Sequence, residues 1–193
     1  MTIVFDTETN GKPLNYKAEA WDVKNWPRVV QLAWAVYDND GNLAGTQKHL
    51  IRPDGWQIPD EVVEIHGITY EMAMQDGIPA QDAISRFISD YNSARVLVAH
   101  NMKFDYPVLL CEFLRYGLRT ENKTRKVCTM EESTDFCQIP GGFRGRYKWP
   151  KLIELHQILF GEGFDGAHDA LNDVLACGRC YFELLKQGVI IDY

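Results

Sequence analysis

No apolar run in this 193-residue sequence approaches the roughly 20 residues of a membrane span, so no membrane partner is expected. A secretory leader is not expected either. No basic segment precedes the first apolar stretch, and Thr2-Ile3-Val4-Phe5 leads straight into carboxylates. Cysteine is sparse and odd in number. Cys111, Cys128, Cys137, Cys177 and Cys180 give no basis for a disulfide framework and suit reduced thiols in the cytoplasm. Cys177-Gly-Arg-Cys180 has CxxC spacing, but no second Cys/His pair stands at zinc-ribbon spacing. It lies within a helical pattern and reads as two packed cysteines. Positive charge is also short: 20 Lys and Arg against 27 Asp and Glu give a net charge of −7, which excludes a broad basic groove. Internal repeats, low-complexity segments and linkers are absent, so residues 1–193 are expected to form one domain.

What is present is ordinary for a globular protein, with 46% hydrophobic and 24% charged residues. The unusual feature is Asp6-Thr7-Glu8. It follows Thr2–Phe5, a short apolar, β-branched run that reads as a buried strand. Two carboxylates one residue apart at the end of such a strand are poor for stability, because burial and mutual repulsion both penalise them. A divalent cation would cancel that charge and supply the reason for oxygen ligands there. The alternative is an exposed turn running into Asn10-Gly11. Two bound divalent cations would add four charges, bring −7 to −3, and attract phosphate locally.

Residues 10–27 form a long excursion with Lys12, Tyr16, Lys17, Trp21, Lys24 and Trp26. These side chains suit base stacking and phosphate contact, or Trp21 and Trp26 anchor the loop to the body. Arg28–Tyr37 and Asn42–Ile51 read as strands joined by the turn Asp38-Asn39-Asp40-Gly41. With the opening strand they make an antiparallel half-sheet. Pro59–Ile65 and Pro79–Tyr91 read as helices. Arg95–Ala99 is an apolar, internal strand, Met102–Gly117 a helix, and Lys126–Met130 a fifth strand. The most basic stretch, Arg144 to Lys151, precedes a helix opened by Pro150 and closed by Gly161. The last helix runs from about Asp169 to Lys186. This order predicts an α/β fold on a mixed sheet.

Two more acidic elements complete the pattern. His100-Asn101-Met102-Lys103-Phe104-Asp105 follows the fourth strand and puts Asp105 in the first turn of a helix, where an anion is favoured. In His168-Asp169-Ala170-Leu171-Asn172-Asp173, Asp169 is a plausible N-cap and Asp173 lies one turn inside. Asp173 is three or four residues from Ala170 and Cys177 and next to Val174, so it shares the core-facing stripe and needs a partner.

These three elements, in this order over nearly the whole chain, resemble the DEDDh 3′→5′ exonucleases of the DnaQ-like superfamily. Arg28-Val-Val-Gln-Leu-Ala and His66-Gly-Ile-Thr resemble further segments of that family. The histidine subclass fits because the tyrosine subclass would need tyrosine at position 169. Thr9-Asn10-Gly11 departs from the usual Thr-Thr-Gly, and the loop after it is longer than usual.

The resemblance implies a ribonuclease H-like fold with a five-stranded mixed sheet. It implies two Mg²⁺ ions about 4 Å apart, with Mn²⁺ able to substitute. Asp6 would bridge both ions, Glu8 and Asp173 would complete the site of the nucleophilic water, and Asp105 would support the ion facing the leaving 3′-oxygen. His168 would be the general base, since an imidazole near its ordinary pKa is neutral at cellular pH. The backbone at Thr9 would meet the terminal 3′-hydroxyl, and Phe104 would pack on the terminal nucleotide. His66 and Asn101 lie in matching motifs.

Arg144, Arg146 and Lys148 are a separate candidate for tracking the strand; the alternative is a solvated loop with Trp149 packed beneath the following helix. The expected activity is release of nucleoside 5′-monophosphates from single-stranded 3′ ends, with DNA favoured. The rivals are an exoribonuclease or RNA-trimming enzyme, and a non-catalytic domain binding strand ends or a polymerase. The chain ends about seven residues after its last helix, so no polymerase-tethering tail is expected.

Overall fold

The computed structural model describes residues 1–120, 123–167 and 169–191. Five strands, β1 (Thr2–Thr9), β2 (Val29–Tyr37), β3 (Leu43–Leu50), β4 (Val96–Ala99) and β5 (Arg125–Cys128), form one sheet in the order β3-β2-β1-β4-β5. β1 is central, antiparallel to β2 and parallel to β4. β2 pairs antiparallel with β3, and β4 parallel with β5. The mixed sheet and its antiparallel first three strands are those expected.

Eight helices are described: α1 (Asp60–His66), α2 (Tyr70–Asp76), α3 (Ala80–Tyr91), α4 (Met102–Arg115), α5 (Thr129–Glu132), α6 (Thr134–Cys137), α7 (Leu152–Phe160) and α8 (Ala170–Lys186). None is long and apolar enough to cross a membrane. The strand period of two divides β1 between two cores. Ile3 and Phe5 pack with Phe87 of α3 and Val108 and Leu109 of α4. Val4, between them, packs on the other face with Val174, Cys177 and Tyr181 of α8. Cys177 and Cys180 are thus packed helical residues, and all five cysteines are free thiols. Close approach of α8 to the sheet depends on Gly178, where a Cβ would fall 2.3 Å from the Tyr37 hydroxyl.

Several boundaries differ from expectation. β1 does not stop at Phe5: it continues through Asp6, Thr7 and Glu8 to Thr9, paired with β2 in the register Asp6↔Ala33 and Glu8↔Gln31. The exposed-turn alternative is therefore wrong, because the antiparallel partner holds the carboxylates in the sheet. Helices α2, α5 and α6 were not expected. Pro150 does not open α7; Lys151 is its N-cap, and Glu154 returns a carboxylate to the Lys151 N–H at 2.8 Å. Gly161 closes α7 in the left-handed conformation, as expected (φ 75°).

The excursion at residues 10–27 is held by a buried ion cluster. Glu112 of α4 is 1% exposed and accepts from Arg28 Nε and Arg115 Nη1, both at 2.8 Å. Arg115 also donates to the carbonyls of Val23, Trp26 and Pro27. Trp26 is buried, with its indole N–H on the Glu19 carbonyl, and so anchors the loop; Trp21 is exposed and does not. Glu112→Ala would leave two guanidinium groups facing an emptied acceptor and should destabilise the protein by about 3 kcal/mol or more, measured by denaturant unfolding. A change below about 1 kcal/mol would show that the cluster does not hold the loop.

Candidate active site

Because Val4, Asp6 and Glu8 alternate with Phe5 and Thr7, both carboxylates lie on the α8 side of the sheet. α8 brings Asp173 to them. Its N-terminus is fixed twice: Asp169 caps it by accepting from Leu171 N–H at 3.1 Å, and Gln31 Oε1 accepts the Ala170 N–H at 3.1 Å. Gln31 is the cross-strand partner of Glu8, so one hydrogen bond ties the start of α8 to the strand position beside the cluster. Lys48 of β3 pairs with Asp169 at 2.8 Å. Partial burial pushes Asp169 up, but Lys48 and the capped amides outweigh it and hold its pKa below the usual range.

The carboxylate oxygens of Asp6, Glu8 and Asp173 lie within 4.8 Å of one another. Asp105 stands beside them in the first turn of α4. It is 4% exposed and accepts a 2.7 Å hydrogen bond from Thr7 Oγ1, which projects from the opposite face of β1. The four charges resist ionisation together. Burial, then Asp105, Glu8 and Asp173, raise the Asp6 pKa well above the carboxylate range. Burial, then Asp173 and Asp105, push Glu8 up to about 8. Burial raises Asp105 to about 7 against the lowering hydrogen bond from Thr7. An all-oxygen set with this electrostatic debt suits a hard divalent cation.

Two cavities flank the cluster, with Asn101 in the wall of both. The larger, about 490 Å³, is bounded by Asp6, Asp105 and Asp173 and by His100, Trp149, Pro150 and Lys151. The other, about 230 Å³, is bounded by Glu8, Thr9, His66 and Phe104, with Lys12 and Tyr16 from the long excursion. His66 accepts the Ile68 N–H on Nδ1 at 3.1 Å, so one ring nitrogen serves the turn that closes α1. Asn10, where the family pattern has threonine, closes the end of β1: its side chain accepts from Arg28 N–H at 2.8 Å and donates to Gln57 C=O at 3.0 Å.

Arg144, Arg146 and Lys148 are not among the cavity walls. Lys148 is paired with Glu154 at 2.6 Å, and the residues of that loop facing the cluster are Trp149, Pro150 and Lys151. Trp149 is not packed beneath α7; it is 57% exposed. His168 lies outside the described residues. Sequence reasoning missed Thr7, and it carried Gln31 only as part of a motif. It also missed that His100 ties the two sides of the cavity. His100 Nε2 donates to the Pro150 carbonyl and Nδ1 accepts from Thr129 Oγ1, each at 3.0 Å, while burial pushes its pKa down to about 4. No sequence spacing signals any of these three.

An acidic cluster at the end of a central strand, in a sheet of this order, has the oxygen donors that suit a divalent cation, and the sequence match gives the family. Residues 3–181 match the Exonuclease (RNase_T) family, and the chain belongs to that family. The DnaQ-like exonuclease superfamily is the one its motifs resemble. It is 27% identical over 183 residues to a DNA polymerase III subunit epsilon-like protein of Rhodobacter capsulatus, covering 95% of this chain and 23% of that protein. It is 25% identical over 190 residues to the PolC-type DNA polymerase III of Halalkalibacterium halodurans, covering 96% of this chain and 11% of that protein. Among solved structures, the fold is that of the zinc-bound complex of Escherichia coli exonuclease I with single-stranded DNA. The TM-score is 0.72 at 21% identity, covering 96% of this chain and 40% of that one. The chain thus spans less than half of each of these proteins.

Proposed function

We propose that this chain is a divalent-metal-dependent 3′→5′ exonuclease that removes nucleoside 5′-monophosphates from single-stranded ends, DNA in preference to RNA. The observation that carries the reading is the convergence of Asp6, Glu8 and Asp173 within 4.8 Å, with Asp105 beside them, between two cavities. The family match and the single-stranded DNA bound by the structurally similar exonuclease I support it.

Asp6, Glu8 and Asp173, with Asp105 on the flank, would hold Mg²⁺ or Mn²⁺. When bound, the cations neutralise phosphate charge and make a water acidic enough to be a nucleophile near neutral pH. Thr7 keeps one Asp105 oxygen turned in a fixed direction, and Gln31 fixes the depth at which α8 presents Asp173. The Thr9, His66 and Phe104 cavity would take the terminal nucleoside, with its 3′-hydroxyl at the Thr9 backbone. Contact of the Thr9 backbone with that terminal hydroxyl would account for attack at a terminus and not within a strand.

His168 precedes the N-cap of α8 by one residue and Asp173 by five. It would take the proton of the attacking water. As the water oxygen bonds to phosphorus, the bond to the upstream 3′-oxygen breaks and that oxygen is protonated. The products are a nucleoside 5′-monophosphate and a strand one nucleotide shorter. His168→Ala should slow hydrolysis by about a hundredfold or more, read as the single-turnover rate; an unchanged rate would place the base elsewhere. Matched single- and double-stranded DNA and RNA ends, labelled at the 5′ or the 3′ terminus, test the reaction itself. Stepwise shortening from the 3′ end of single-stranded DNA in Mg²⁺, stopped by chelator, is expected. Faster digestion of RNA would reverse the substrate preference, and internal cuts would overturn the reading.

A further inference from the structure

The larger cavity has a feature that the proposed chemistry does not use. Besides Asp6, Asp105 and Asp173, its walls include the apolar side chains Met130, Ile153 and Phe164 and the indole of Trp149. Trp149 is 57% exposed, yet the chain on both sides of it is fastened. Lys148 N–H donates to the Ile139 carbonyl at 2.9 Å, and the Lys148 ammonium pairs with Glu154 at 2.6 Å. The Pro150 carbonyl accepts from His100 at 3.0 Å, and Lys151 N–H donates to Glu154 at 2.8 Å. These tethers hold the backbone of the segment in place, and the indole it carries stands exposed. An aromatic face held open in advance binds with little ordering cost, and every nucleobase has a face that can lie on it. Two cations stand near it: the Lys103 ammonium, itself paired with Glu131, lies 6.0 Å from the indole centroid, and Lys151 shares the cavity wall.

We propose that Trp149 is the stacking platform for the base on the 5′ side of the scissile phosphate, that of the nucleoside whose 3′-oxygen leaves. The assignment rests on the exonuclease reading, which places the terminal nucleoside in the Thr9, His66 and Phe104 cavity. The strand must then pass the carboxylates into the larger one. Trp149 is a positioning residue: by holding the penultimate nucleoside, it keeps the leaving oxygen in line with the attacking water.

The test measures the first cleavage, under single turnover in Mg²⁺, of an oligothymidylate and of the same strand abasic at its penultimate position. Stacking of one base is worth between about fivefold and a hundredfold. Wild type should therefore lose that factor on the abasic strand. Trp149→Ala should lose it on the intact strand and match wild type on the abasic one, while Trp149→Phe should retain most of the intact-strand rate. Thermal melting of each variant separates a folding defect from this pattern. If Trp149→Ala slows both strands equally, or neither, the platform is overturned while the exonuclease reading stands. Wild type inactive on both strands overturns that reading and the platform with it.

Discussion

Asp6→Asn should lower the rate of 3′-end hydrolysis by at least about a thousandfold, equivalent to roughly 4 kcal/mol of transition-state stabilisation. Asparagine keeps the size of the side chain and removes the charge. Asp6 is the position where the loss should be greatest, because the other three carboxylates all raise its pKa. The same change has an opposite effect on the fold. With no cation bound, Asp6 is a source of repulsion for Glu8, Asp105 and Asp173, so the asparagine variant should melt at a higher temperature than wild type in chelator at pH 8. A dead enzyme that is more stable is difficult to obtain by damaging the structure. An active Asp6→Asn protein, or one that is inactive and less stable, would show that this carboxylate is not at the centre of a cation site.

The stability of the cation-free protein should also fall as pH rises from about 4 to about 8. Glu8 titrates near 8 and Asp105 near 7 in the fold, against ordinary carboxylate values near 4 in the unfolded chain. Between those limits the native state holds protons that the unfolded state has released, so unfolding becomes easier with increasing pH. The loss is on the order of 5 kcal/mol across that window, after allowing for the water that reaches Glu8. Below about pH 4 both states are protonated and the penalty vanishes. Added Mg²⁺ or Mn²⁺ should restore little at pH 5 and most at pH 8, because the cation competes with those protons. Denaturant unfolding at pH 5, 6.5 and 8, with cation and with chelator, measures this directly; a flat or rising profile in chelator would contradict the clustering.

The parts of the site that were legible in the sequence are those with local causes. Asp169 is readable as an N-cap because its side chain serves the amides two and three residues on, and Asp173 then falls one turn inside. Asp105 is readable in the first turn of a helix for the same kind of reason. The extent of β1 was not legible. Asp6 to Thr9 look like surface residues, and only pairing with β2, some 25 positions away, keeps them in the sheet. Helix α2 buries only Ala73 and so has no apolar stripe to announce it. Glu112 reads as an ordinary helical charge, because one of its two arginine partners lies 84 positions earlier. The exposure of Trp149 was equally hidden, since it depends on tethers from His100, Ile139 and Glu154.

The central claim is that side chains from β1, α4 and α8 together bind a divalent cation. Calorimetric titration of cation-free protein with Mn²⁺ at pH 7, repeated in buffers of different ionisation enthalpy, tests it most directly. Binding accompanied by proton release, and lost in Asp6→Asn, is the expected result. Absence of binding, or equal binding by the asparagine variant, would contradict it.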